Sequence, residues 1–136
     1  MIYYENKHAF GKMGENIAAK YLEKEGYKII CRNFRPKTKD IMETIKSRGE
    51  IDIIAMRPSP ENTLEFFEVR TRMQASMNMP EESVTYRKIQ RLTSTAMAFL
   101  SMNPKYGTSS LRISLLGLLL KSKSKNLFDL KKTRIL

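Results

Sequence analysis

Residues 111–120 read LRISLLGLLL, an almost uninterrupted apolar run with Ser114 and Gly117 as its inner breaks. Alternate side chains of a strand point to opposite faces, so a strand apolar at consecutive positions is buried on both. The run is far shorter than the ~20 residues a bilayer span needs. It therefore reads as an inner strand of a sheet that has helices packed on it.

Two segments supply those helices. Residues 8–25 have Phe10, Ile17, Ala18, Tyr21 and Leu22 on one broad arc at about 100° per residue, and Gly26 follows as the stop. Residues 86–102 carry Leu92, Ala96, Phe99 and Leu100 on one arc, with Ser83 or Thr85 as the cap. Strands are expected over 27–34, 51–56, 64–71 and 111–120, and the tail adds one short strand. RPSPENT is a turn by its prolines and Asn62, and MQASMNMPEES is a loop. The order helix, three strands, helix, strand makes the chain α/β, a single domain over 1–136. Its core is expected over 8–120, with a polar, exposed excursion at 36–48 holding one irregular helical turn in DIMETIK, and a basic extension at 121–136.

Composition narrows the chemistry. A net charge of +11 and a pI near 9.9 favour a polyanionic partner, nucleic acid ahead of an anionic membrane. Cys31 is the only cysteine and His8 the only histidine. An intrachain disulfide is impossible, and a zinc site of His and Cys is excluded in practice. Any metal would be held by oxygen, as Mg²⁺ or Mn²⁺ are. No organic cofactor is expected. MIYYENKHAF lacks the apolar region of a signal peptide, so a cytoplasmic location with no membrane partner is expected.

The stretch GEIDIIAMRPSPENTLEFFEVRTR places acids inside its most hydrophobic strands, with Asp52 between isoleucines and Glu68 between Phe67 and Val69. If the turn is centred near Pro60, antiparallel partners sum to about 120 and Asp52 lies opposite Glu68. The sequence does not fix the register, but any even shift keeps both acids on one face. Directly opposed Cβ atoms lie roughly 4.5–5.5 Å apart. Two ionised carboxylates that close would repel and lose hydration. A shared divalent cation relieves both penalties. So does an ion network in which Arg70, on the same face as Glu68, neutralises the pair. Glu15 falls inside the apolar arc of the first helix, either looking inward or on a partly exposed flank.

GKMGENIAAKYLEKEGYKIICRNFR, GEIDIIA, FFEVRTR and VTYRKIQRLTSTAMAFL, taken in order, resemble the YraN-like family of bacterial proteins. The resemblance covers roughly residues 8–120. It implies the restriction-endonuclease-like αβββαβ fold of the PD-(D/E)XK nucleases, a central mixed sheet flanked by helices, similar to archaeal Holliday-junction resolvases. By position it implies Glu15, Asp52 and Glu68 as ligands of Mg²⁺ or Mn²⁺, and Arg70 in the place of the lysine that orients or activates the attacking water.

Three departures from that pattern matter. EVR replaces EVK, and arginine stays protonated at any working pH, so Arg70 can grip a phosphate but is a poor base. Lys88, at the start of the second helix, is the best substitute amine, with attraction of phosphate as its simpler role. The 36–48 excursion is long for the family. Ser114 stands where the family commonly has Asp, a change expected to alter packing or pairing more than chemistry.

The function implied is metal-assisted hydrolysis of a phosphodiester, on DNA rather than RNA. Arg32, Arg35, Lys37, Lys39, Arg72, Arg87, Lys88 and Arg91 would hold the phosphate backbone, with little sequence preference. Two other readings remain open on the sequence: a binding-only adaptor whose site Arg70 has disabled, and an interaction subunit that uses ISLLGLLL as a homodimer seam.

Overall fold

The structure is a computed structural model that describes residues 6–36, 49–59, 62–73, 85–121 and 126–136. Helix α1 (Asn6–Lys24) leads into strand β1 (Lys28–Phe34), followed by β2 (Ile51–Met56) and β3 (Thr63–Met73). Helix α2 (Tyr86–Met102) and a single 3₁₀ turn at Pro104–Tyr106 precede β4 (Ser110–Leu120) and β5 (Leu127–Arg134). The order through β4 is αβββαβ, as expected.

The five strands form one mixed sheet in the order β1-β2-β3-β4-β5. Only β3 and β4 run parallel; the other three contacts are antiparallel. A parallel pair needs a long crossover, and α2 is part of it. α1 covers one face through Ala18, Ala19 and Leu22 against Ile53, Phe67, Leu116 and Leu118. α2 covers the other through Leu92, Ala96 and Phe99 against Ile54, Leu64, Phe66 and Ile113. Burial of β4 on both faces follows directly, with Ile113 to Leu120 buried throughout.

Local chemistry sets the element ends. Gly26, at φ 95°, takes the left-handed position after α1, and Tyr27 N–H closes back on Leu22 O at 2.9 Å. Thr85, rather than Ser83, caps α2, its Oγ1 accepting from Lys88 N–H at 3.1 Å. The DIMETIK turn, Lys37, Lys39 and residues 74–83 of the MQASMNMPEES loop lie outside the described residues, while Met73 ends β3.

The short strand expected in the tail is β5, which pairs along β4 from Ser114↔Arg134 to Leu120↔Leu127. One expectation changes with it. β4 is consequently flanked on both edges, by β3 and β5, and cannot serve as a dimer seam. Its apolarity comes from two helix layers and needs no second copy. No helix among the described residues is long and apolar enough to cross a membrane.

Gly14 shows why α1 sits where it does. A Cβ there would lie 2.0 Å from Thr71 Oγ1 and 3.0 Å from Thr71 Cβ, so only glycine allows helix and strand to approach this closely. Gly49 is similar: its Cβ would lie 2.3 Å from Thr95 Oγ1 of α2. Each glycine immediately precedes an acid, Glu15 or Glu50. We expect Gly14→Ala to destabilise the fold by about 1–3 kcal/mol in thermal unfolding, since overpacking outweighs the ~1 kcal/mol helix-propensity gain. A neutral or stabilising result would show that α1 is not seated by this contact.

Candidate active site

The sheet forks where its acids lie. β2 and β3 pair over four positions only, from Met56↔Leu64 to Ile53↔Phe67, at the expected register. Beyond that rung β2 stays with β1, to Phe34↔Ile51, while β3 stays with β4, to Met73↔Leu120. Asp52 and Glu68 are the first residues past the fork. There the Asp52 side chain stands in for the missing ladder carbonyl: its Oδ2 accepts from Val69 N–H at 2.7 Å. A buried N–H left without an acceptor would be costly.

Burial, and then the nearby Glu68 carboxylate, push Asp52 up to about 8, with Glu15 and Glu50 adding to the rise and the Val69 bond opposing it. Three neighbouring acids therefore act on Asp52. Glu68 Oε2 lies 3.3 Å from Lys88 Nζ of α2 and 3.6 Å from Arg70 Nε. Glu15 looks inward, its side chain 18% exposed. It lines an open cleft of about 570 Å³ with Gly11, Lys12, Asn33, Arg35, Glu50 and Asp52.

A different acid shows how this fold treats a carboxylate it intends to neutralise. Glu65 of β3 is 0% exposed. Its Oε1 accepts from Tyr27 Oη at 2.8 Å and Arg57 Nη1 at 2.9 Å, and its Oε2 from Ser114 Oγ. Lys132 Nζ of β5 lies 3.7 Å away and also donates to Tyr27 Oη at 2.8 Å. Burial pushes Glu65 up, but these hydrogen bonds and the Lys132 charge outweigh it and hold the carboxyl below its ordinary value. Asp52 is treated differently: its carboxylate accepts from the Val69 N–H, and burial and the neighbouring acids push it up rather than down.

The oxygen-only donors and the uncompensated charge fit a hard divalent cation in chemistry, with Asp52, Glu68 and Glu15 as the side chains able to hold it. Their present orientation is not a closed cage. Among the described residues no three His, Cys, Asp or Glu side chains are grouped to hold an ion. Glu68 is turned to Lys88 and Arg70, and Glu15 to Asn33.

The basic residues expected at the phosphate backbone divide into groups. Arg32 donates to Asn16 Oδ1 at 2.8 Å and lies 3.9 Å from Glu15, so its guanidinium is turned to α1. Arg35, 69% exposed, donates to Glu50 Oε1 at 3.0 Å. Arg72 and Arg87 are exposed, and Arg91 is half-buried where α2 meets Gly49. Lys88 alone of the set reaches a strand acid, Glu68.

Sequence reasoning passed over Glu50, Asn33 and Lys12 of the cleft. Signals existed: Glu50 lies two residues before Asp52 in GEID, and Lys12 lies one helical turn before Glu15. Asn33 required the β1–β2 register.

Comparison with known proteins places these features in a family. A UPF0102 protein of Desulforamulus reducens is 38% identical over 111 residues, 82% of this chain and 81% of its own. One of Chloroherpeton thalassium is 33% identical over 121 residues, 89% of this chain and 83% of its own. One of Trichlorobacter lovleyi is 32% identical over 133 residues, 93% of this chain and 94% of its own. The family model covers residues 14–129, opening one residue before Glu15 and closing inside β5, so it takes in the whole fork. By that match, and by identities spread over most of each chain, this protein belongs to the uncharacterised protein family UPF0102.

Proposed function

We propose that the protein is a metal-dependent endonuclease that hydrolyses phosphodiester bonds of nucleic acid, DNA before RNA, at the fork between β2 and β3. The observation that carries this reading is the contrast between two acids of one sheet. Glu65 is held below its ordinary value by protein donors, whereas the half-buried Asp52 is pushed up by burial and by Glu68, Glu15 and Glu50. A carboxylate perturbed by burial and by like charges in a cleft is a mark of functional sites.

Mg²⁺ or Mn²⁺ held there would lower the pKa of a bound water and neutralise charge developing on the phosphate. Asp52, Glu68 and Glu15 bind it through their oxygens. Lys88, 3.3 Å from Glu68, would orient the attacking water or attract the phosphate as a charged ammonium. Arg70 stays charged and suits the oxygens of the phosphate under attack. The +11 charge draws the polyanion to the protein.

One observation favours the adaptor reading instead: Glu68 already faces two cations, and the acids are not gathered into a cage. A single experiment separates the two. With supercoiled, single-stranded and four-way-junction DNA, the protein should cut at least one substrate in Mn²⁺ or Mg²⁺ and none in EDTA. Glu68→Ala should slow cutting at least about a hundredfold, within the range of effects of removing one electrostatic contributor. Tight binding with no cutting in any condition would establish the adaptor.

A further inference from the structure

β1 meets the fork at Asn33, whose backbone is left-handed at φ 53°. The pairs Arg32↔Ile53 and Phe34↔Ile51 set Asn33 across the ladder from Asp52. Its amide nitrogen donates to Glu15 Oε1 at 3.0 Å and to Glu50 Oε2 at 3.1 Å. One NH₂ group thus bridges the carboxylates of two separate elements, α1 and the entry to β2. Both of its protons are used. Arg35, two residues on, takes the remaining oxygen of Glu50 at 3.0 Å.

A corner residue alone would not need this chemistry. Asparagine tolerates the left-handed region, but glycine occupies it with no Cβ penalty. Two carboxylates drawn to one nitrogen repel each other, and only a donor between them holds them there. Aspartate would keep the shape and the backbone preference but, ionised, would offer acceptors alone.

We infer that Asn33 is a positioning residue of the site: its amide holds Glu15 and Glu50 facing Asp52, keeping the acids gathered on one side of the cleft. Glu50 thereby joins the residues that shape the site. The inference rests on the nuclease reading and extends it to the segment RNFR. Arg32 and Arg35 act there on the protein's own acids.

The test uses full-length Asn33→Gly and Asn33→Asp, with three measurements: metal-free thermal unfolding, Mn²⁺ affinity by calorimetry, and the kcat and KM of cleavage. Asn33→Gly should melt within a few degrees of wild type, because glycine suits the backbone. Its Mn²⁺ affinity should fall about 10- to 100-fold, as for loss of an outer-shell partner, with kcat falling similarly and KM for DNA unchanged. Asn33→Asp should lose more of both. Wild-type Mn²⁺ affinity and kcat in Asn33→Gly would overturn the inference and leave the nuclease reading intact. So would a large drop in metal-free stability in both variants, which would mark a purely structural role. A wild-type protein without Mn²⁺ affinity would overturn both together.

Discussion

Asp52→Asn should give a protein that is more stable than wild type at pH 8 and inactive. Burial and the neighbouring Glu68 hold the folded Asp52 near 8, while an unfolded aspartate titrates near 3.8. Between those values the unfolded chain releases the proton and the folded chain keeps it. The unfolded state then binds fewer protons, so stability falls as pH rises from about 4 to about 8. Asparagine removes this penalty and keeps an oxygen for the Val69 N–H. The expected gain is at most about 5 kcal/mol at pH 8, since each pH unit between 3.8 and about 8 contributes about 1.36 kcal/mol, and it vanishes near pH 4. Denaturant unfolding at the two pH values measures it directly. A gain independent of pH would mean that the repulsion among Asp52, Glu68, Glu15 and Glu50 is not the cause. Cleavage by the same variant should fall by about a thousandfold, because an amide is a neutral and weaker ligand. Stability and activity should therefore move in opposite directions, which a purely structural acid would not produce.

Glu65→Ala should do the reverse, weakening the fold without touching the fork. Removing one partner of a buried ion pair costs about 3–5 kcal/mol, because the remaining groups keep their desolvation penalty. Here Tyr27, Arg57, Ser114 and Lys132 would all lose their shared acceptor. The carboxyl is held below its ordinary value, so its contribution is present above the ordinary carboxylate range and is lost as pH falls through the folded pKa. Urea unfolding at pH 7 should show the loss, and hydrogen exchange should show β5 loosening first, since Lys132 ties that strand to β3. Unchanged stability and protected β5 amides would sink the account. The acid that the resemblance implied at position 114 would face Glu65 here. Ser114 instead donates to it, so the departure noted in the sequence has become a hydrogen bond.

Much of this was legible in the chain. The 51–56 strand and the 86–102 helix were readable to the residue, because each carries a full apolar period between strong stop signals. The β2–β3 register was only conditionally legible: a turn centred near Pro60 implies sums near 120, which every observed pair has, but the sequence did not fix that centre. The inward face of Glu15 was half-legible: the helical arc left two choices, and its 18% exposure and its hydrogen bond from Asn33 resolve them. Asn33 and Glu65 were not legible. Apart from Arg57, their partners come from elements 17 to 67 residues away along the chain, and nothing local distinguishes a bridging asparagine from a corner one.

By itself the sequence determined the αβββαβ order, the two-sided burial of 111–120 and the placement of acids inside apolar strands. Period and punctuation are local properties, and local sterics enforce them. Only the tertiary structure decided that the sheet divides after Ile53 and Phe67, that Glu65 is neutralised, and that Asp52 is not. Whether a buried charge is compensated depends on which distant donors the packing delivers to it, and no spacing along the chain encodes that.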